Sequence, residues 1–97
     1  MNFTFQFDSY FAKKYKKLIT KDANLKVRID SVLERLGQDP KDPKLDSHKV
    51  KTPKFGQCFS SIITGDLRLI WSHNENNEVE IIDLLDIGGH SGGGKVY

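Results

Sequence analysis

The sequence predicts a small α+β domain in the order β-α-α-β-β-β, a helical hairpin packed on one face of a mainly antiparallel four-stranded sheet. Three observations predict it. Phe3, Phe5 and Phe7 alternate with Asn2, Thr4 and Gln6 at the strand period of two. Two stretches follow in which apolar residues recur at helical spacing. The last third then holds apolar runs separated by turn residues. At 97 residues the chain has room for one core, so residues 1–97 read as a single domain.

The alternating phenylalanines make a first strand with one buried aromatic face. Asp8 or Ser9 then offers a side-chain oxygen to the unpaired N–H groups that begin a helix. Phe11, Tyr15, Leu18 and Ile19 fall at i, i+4, i+7 and i+8, with Lys13, Lys14, Lys16 and Lys17 mostly on the other side. A break near Thr20 and Lys21 leaves Thr20 or Asp22 to cap a longer helix that turns Leu25, Ile29, Val32, Leu33 and Leu36 inward. Gly37 stands where a left-handed C-cap would end it. So short a link folds the two helices into an antiparallel hairpin.

Residues 38–55 are punctuated by Pro40, Pro43 and Pro53, with Lys41, Lys44, Lys49, Lys51 and Lys54 between them. No periodicity emerges, so the segment reads as a long connection, and long connections often carry function. Residues 57–64 read as a strand, Gly65 and Asp66 as a two-residue hairpin turn, and 67–72 as the next strand. A polar turn of Asn74, Glu75, Asn76 and Asn77 leads to the last strand, 78–87. That strand is apolar nearly throughout, as an inner strand covered on both faces would be. Asp83 and Asp86 interrupt it and need an edge, a strand end or a basic partner. The first strand joins the sheet's edge. The face away from the helices has few residues to cover it and is expected to be concave and partly open.

Cys58, the one cysteine, makes no intrachain disulfide, and its apolar neighbours suit a small buried hydrophobe. The N-terminus lacks the basic start and apolar core of a secretory signal, and no run approaches the roughly 20 apolar residues of a membrane span. These features point to the cytoplasm and away from membranes. Three histidines without close spacing imply no metal site, and no motif implies a cofactor. The net charge of +2 is unevenly spread. Residues 1–55 hold thirteen of the fifteen Lys and Arg and seven of the thirteen acids, a balance of +6 against −4 in the remainder. Either a basic face lies beside an acidic sheet edge, or the lysines only solvate the helices.

Arg68 lies inside an apolar strand, so its guanidinium must reach solvent, a carboxylate or a phosphate. A cross-strand pair with Asp83 or Glu80 is one reading, and a phosphate clamp on the open face is the other. His90 follows Gly88 and Gly89, where an imidazole either is merely solvated or moves a proton near neutral pH. Tyr97 either packs over a helix or stacks on a base. His48, among Lys49, Lys51 and Lys54, is a second candidate for proton transfer, and His73 is given no role. The run GGHSGGGK is not a phosphate loop, because Val96 follows Lys95 and no helix can follow it.

The element order, the block from Gly65 through Arg68 to Trp71, and the ending Ile87-Gly88-Gly89-His90 with Val96 and Tyr97 together resemble the RelE/ParE superfamily of type II toxins. The resemblance is to its RelE/YafQ-like branch. It implies a ribosome-dependent mRNA endonuclease that needs no metal, and a cognate antitoxin as partner. It also implies catalytic parts for Arg68, His90, Tyr97, His48 and Asp66, and RNA contacts for Lys49, Lys51 and Lys54. A ParE-like inhibitor of DNA gyrase, or an inactive relative that only binds its antitoxin, would share the same fold. The chain departs from the branch in carrying Ile62 near a position where YafQ-like proteins have a second His. It also has Phe59, Ser60 and Ser61 where the RelE archetype has lysines.

Overall fold

Two aspartates place the helices. Asp8, with extended backbone, accepts the Phe11 N–H at 3.0 Å and starts helix α1, Ser9–Lys21. Asp22 closes α1 by donating its N–H to the Leu18 carbonyl, and its carboxylate accepts the Asn24 N–H at 2.9 Å to start α2, Ala23–Gln38. The helices therefore fold back on each other, and the Tyr15 hydroxyl donates to Asp30 at 2.6 Å across the seam. The computed structural model describes residues 3–76 and 79–89. Among them, no helix is long and apolar enough to cross a membrane.

The sheet has strands β1 (Thr4–Phe7), β2 (His48–Thr52), β3 (Gly56–Ile62), β4 (Leu67–Asn76) and β5 (Val79–Gly89), in the order β1-β5-β4-β3-β2. Edge strand β1 runs parallel to β5, and every other pair is antiparallel. The α+β class, the helical hairpin, the edge position of the first strand and the inner position of the last are as expected. The strand count is five rather than four. The added strand, β2, lies inside the segment read as a loop. As a sheet edge it alternates His48, Val50 and Thr52 with Lys49 and Lys51, so neither side shows an apolar stripe. Ahead of it come a single 3-10 turn, Pro43–Leu45, and Asp46 in the left-handed region at φ 47°.

Gly37 does not cap α2. It is buried within the helix, which ends at Asp39 with extended backbone and the Asp39 N–H on the Arg35 carbonyl. Glycine serves close approach here. The Phe3 N–H donates to the Gly37 carbonyl at 2.7 Å, and a Cβ on residue 37 would lie 3.3 Å from Phe5 Cζ. The aromatic face of the first strand is also shorter than expected, because Phe7 is 59% exposed and tilts against the Phe11 ring. The β3–β4 turn is longer than the pair Gly65 and Asp66. The Leu67 carbonyl accepts from both the Ile63 and Thr64 N–H groups, and the Leu67 N–H returns to the Thr64 hydroxyl. Asn74, Glu75 and Asn76, read as turn, continue β4.

Between helices and sheet lies the main core of Phe11, Ile29, Leu36, Leu45, Ile63, Leu69, Trp71, Ile82, Leu84 and Ile87. The buried Trp71 indole donates to Ser61 Oγ at 2.8 Å, and that oxygen lies 2.6 Å from Ser47 Oγ, so the polar atom has a partner inside. A smaller cluster, Cys58 and Ile70 with Val50 and Leu85, occupies the other face. The two clusters are separated by one bulge. Ile70 stands opposite Asp86 and Trp71 opposite Leu84, which leaves Leu85 as an extra residue in β5. Ile82, Leu84 and Ile87 can then all face the helices, while Leu85 and Asp86 turn away.

Replacing Ile29, fully buried under the sheet, with Ala is expected to cost about 2–5 kcal/mol in urea unfolding, from lost transfer energy plus the cavity. A loss below about half a kcal/mol would show that this face of α2 is not packed.

Candidate functional site

Strand alternation decides which side chains share the face away from the helices. His48 pairs with Ser60, Ile62 with Arg68, and Arg68 with Gly88, so His48 and Arg68 lie on that face together. Two strand spacings and a two-residue offset put their Cα atoms about 12 Å apart. That separation brings them to one surface without contact.

Arg68 is half-buried. Its Nη1 donates to the carbonyls of Thr64 at 2.8 Å, Gly65 at 3.2 Å and Leu67 at 3.2 Å. Its cross-strand neighbour is Gly88, whereas Asp83 lies opposite Ser72. The pairing with Asp83 is thus replaced by the backbone of the β3–β4 turn. A guanidinium held by neutral carbonyls is positioned without losing its charge to a carboxylate. Asp66 is exposed in the same turn, next to Gly65.

His48 is exposed on the edge strand, with Nδ1 3.3 Å from the Asp46 carbonyl. A carbonyl oxygen only accepts, so Nδ1 carries the proton in this contact and Nε2 is the acceptor of the neutral ring. Lys49 and Lys51 stand opposite Phe59 and Gln57, on the helix side of the sheet edge and so on the other face from His48. Lys54, in the β2–β3 turn, holds its ammonium 3.4 Å from the centroid of the Tyr10 ring. His90 and Tyr97 lie outside the described residues.

The face is less open than the sequence suggested. Gly56, at φ 70°, and the Phe55 N–H on Thr52 Oγ1 at 2.8 Å shape the β2–β3 turn, which reaches α1, where Phe55 meets Tyr10. Val50, Cys58, Ile70 and Leu85 form the cluster on this side. Burial pushes the Cys58 thiol up, with a hydrogen bond to Thr52 opposing it in part, as suits a small hydrophobe. Among the described residues no group of three or more His, Cys, Asp or Glu is placed to hold a metal ion.

Asp86 has the basic partner that an acid inside an apolar strand requires. β1 stops at Phe7, and beyond it the first turns of α1 reach β5. There Lys14 Nζ donates to Asp86 Oδ1 at 2.5 Å, the Tyr10 hydroxyl to Oδ2 at 3.4 Å, and the Ile87 N–H to Oδ1 at 2.9 Å. Burial would lower the Lys14 ammonium, but the hydrogen bond and charge of Asp86, with Tyr10 beside them, hold it above its ordinary value. The sequence rule flagged Asp86. It did not name Lys14, because helical spacing alone placed that lysine with its solvated neighbours. On the helix side of the sheet a separate groove of 740 Å³ is lined by Phe3, Phe59, Trp71 and His73, with Asp39, Asp42 and Asp46 also on its wall.

The architecture is that of known toxins. The YoeB/ParE toxin from Agrobacterium tumefaciens superposes with a TM-score of 0.76 at 12% identity, covering 91% of this chain and 99% of that one. The YoeB dimer from Staphylococcus aureus gives 0.64 at 17% identity over 89% and 94%. The E. coli DinJ-YafQ toxin-antitoxin complex gives 0.64 at 15% identity over 93% and 94%. Neither a protein-family model nor a curated protein sequence matches the chain. At such identities the likeness is one of fold, and it is the RelE-like fold anticipated from the residues.

The pair Lys14–Asp86 gives an asymmetric expectation. Lys14→Met leaves a buried carboxylate without its cation and is expected to cost about 3 kcal/mol at neutral pH. Asp86→Asn leaves a partly exposed lysine that can turn to water, and is expected to cost about 1–2 kcal/mol. Urea titrations of the two variants check the order. An equal or reversed ranking would show that the carboxylate is solvated.

Proposed function

We propose that this chain is the toxin of a type II toxin–antitoxin system, a member of the RelE/ParE superfamily that cuts messenger RNA on the ribosome in the bacterial cytoplasm. The observation that carries the proposal is Arg68. Among the described residues no carboxylate forms a salt bridge with it, its position is fixed by three backbone carbonyls, and it shares a sheet face with His48. The fold shared with the YoeB and YafQ toxins supports the same reading.

Cleavage would proceed by attack of the ribose 2′-oxygen on the adjacent phosphorus. A base takes the 2′-OH proton, the new P–O bond forms, and the bond from phosphorus to the 5′-oxygen breaks. An acid then protonates that leaving oxygen, giving a 2′,3′-cyclic phosphate and a free 5′-OH. Arg68 stabilises the charge that accumulates on the phosphoryl oxygens. His48, through Nε2, and His90 are the two imidazoles for base and acid work. Asp66, exposed in the same turn, is a further catalytic candidate, and Tyr97 stacks on a base. These side chains fill every role in the step, so no metal ion is assigned one. The requirement for a 2′-OH restricts the substrate to RNA. A cognate antitoxin would cover the basic side of the molecule, as befits the lysine-rich first half.

Primer extension on a translated message is expected to show cuts within codons when ribosomes are present and little cutting of naked RNA. Arg68→Ala is expected to lower cleavage about 100- to 1000-fold, and His48→Ala or His90→Ala about 100-fold or more, with urea midpoints near that of the parent. Cleavage that survives both the Arg68 and His90 substitutions removes this active-site assignment. Accumulation of gyrase-linked linear DNA, with RNA intact, replaces it with the ParE-like activity.

A further inference from the structure

His48 opens an edge strand, and the first residue of an edge strand is where a ladder frays. Among the described residues β2 is hydrogen-bonded to β3 alone, and its pairing begins at His48 opposite Ser60. One residue earlier the chain is held from the other side of the sheet. Ser47 Oγ lies 2.6 Å from Ser61 Oγ, and Ser61 in turn accepts the Trp71 indole N–H at 2.8 Å. Ser61 is fully buried and Trp71 nearly so, which ties Ser47 to the packed interior. Two residues before Ser47, Leu45 is sunk in the main core. Asp46 therefore spans two anchors, in the left-handed region at φ 47°, a conformation that aspartate tolerates better than most residues. Its carbonyl is the group that meets His48 Nδ1 at 3.3 Å.

We propose that Ser47 is a positioning residue for His48, stapling the start of β2 to the buried Ser61–Trp71 pair so that the imidazole keeps one tautomer and one place on the sheet face. The catalytic part of His48 rests on the proposed function, whereas the staple rests on the hydrogen bonds themselves. Strand alternation puts Ser47 on the helix side with Ser61 and His48 on the opposite side, so Ser47 acts through the backbone and touches no substrate bound at Arg68. A ring whose Nδ1–H is held on a carbonyl offers Nε2 outward as the base. The Asp46 carbonyl holds it only while residues 46–48 keep their turn. An exposed histidine at a frayed strand end would exchange both its tautomer and its position. A displacement of about 1 Å at a reacting group costs on the order of 100-fold in rate, so a hydroxyl on the far side of the sheet is felt at the imidazole.

The test uses the full chain, isotope-labelled at histidine, and reads the imidazole nitrogens by NMR, with His48→Gln assigning the signals. The parent is expected to show the Nδ1–H form of the neutral His48 ring. Ser47→Ala should bring in the Nε2–H form. Ser47→Thr, which keeps a hydroxyl, and Ser31→Ala, which removes an exposed one from α2, should match the parent. In cleavage on ribosomes Ser47→Ala should lower kcat about 10- to 100-fold with KM held, and Ser47→Thr should restore it. Ser61→Ala removes the other end of the staple and leaves the indole N–H unpaired, so it should lower the urea midpoint and shift the tautomer as well. A lower midpoint in either Ala variant, with the parent tautomer and kcat, makes the hydroxyl pair merely structural and overturns the inference. So does a raised KM with kcat unchanged, which would put Ser47 in contact with the substrate. If the tautomer shifts as stated while the parent cuts no RNA on ribosomes, the staple stands and the nuclease proposal falls.

Discussion

Strand β5 must show apolar side chains to the helices along its whole length, yet it also places Asp86 and Gly88 on the opposite face beside β4. A regular strand of period two cannot arrange Ile82, Leu84 and Ile87 on one side. The extra residue at Leu85 resolves this, and Lys14 makes it tolerable by meeting the carboxylate that the bulge turns away from the core. The rest of the fold depends on that shift of phase. Ile87 completes the main core only because of it, and Gly88 lies opposite Arg68 only because of it. The cation that stabilises the bulge comes from α1, so the helical layer and the candidate site are mechanically linked through one ion pair.

Much of the fold was legible in the sequence because local rules agreed with the global arrangement. The two helices and the inner final strand followed from spacing, and each aspartate cap was one of two residues that the sequence offered. What was missed had a different physical origin in each case. β2 carries lysines on an edge and shows no apolar stripe. Gly37 looks like a helix stop, but its missing side chain makes room for Phe5 from another element, and no local pattern records such an approach. The site was legible only in part. An arginine inside an apolar strand had to have partners, but the carbonyls that hold it belong to a turn whose length the pair Gly65 and Asp66 understated. The phase of β2, with His48 on one face and Lys49 and Lys51 on the other, required knowing that a strand was there.

Solved toxins that share this architecture at 12–17% identity hold the layers in common and differ in most side chains. Fold alone therefore says little about chemistry, which must be argued from the groups on the sheet face. Among the described residues there are few of them. Ser60 and Ile62 occupy the strand between His48 and Arg68, so the polar equipment is sparse and spread over about 12 Å. A sparse site of this kind leaves much of the orienting of a ligand to contacts beyond these side chains.

The parallel pairing of β1 with β5 brings Thr4 beside Ile81. Among the described residues no other strand pair joins residues so far apart in the chain, since each of the rest links neighbours in sequence. During synthesis the helical hairpin and the β2–β3–β4 meander can form as they emerge, but β1 has no place to bind until β5 has been made. Such a long-range contact closes a large loop and is reached late. The Phe3 N–H on Gly37 then seals the strand against α2. Completion of the sheet, and with it of the bulge that sets the Arg68 face, thus waits until β5 has been synthesised. The face that carries Arg68 is therefore assembled only once the chain has been made through β5, after the helices and the meander are in place.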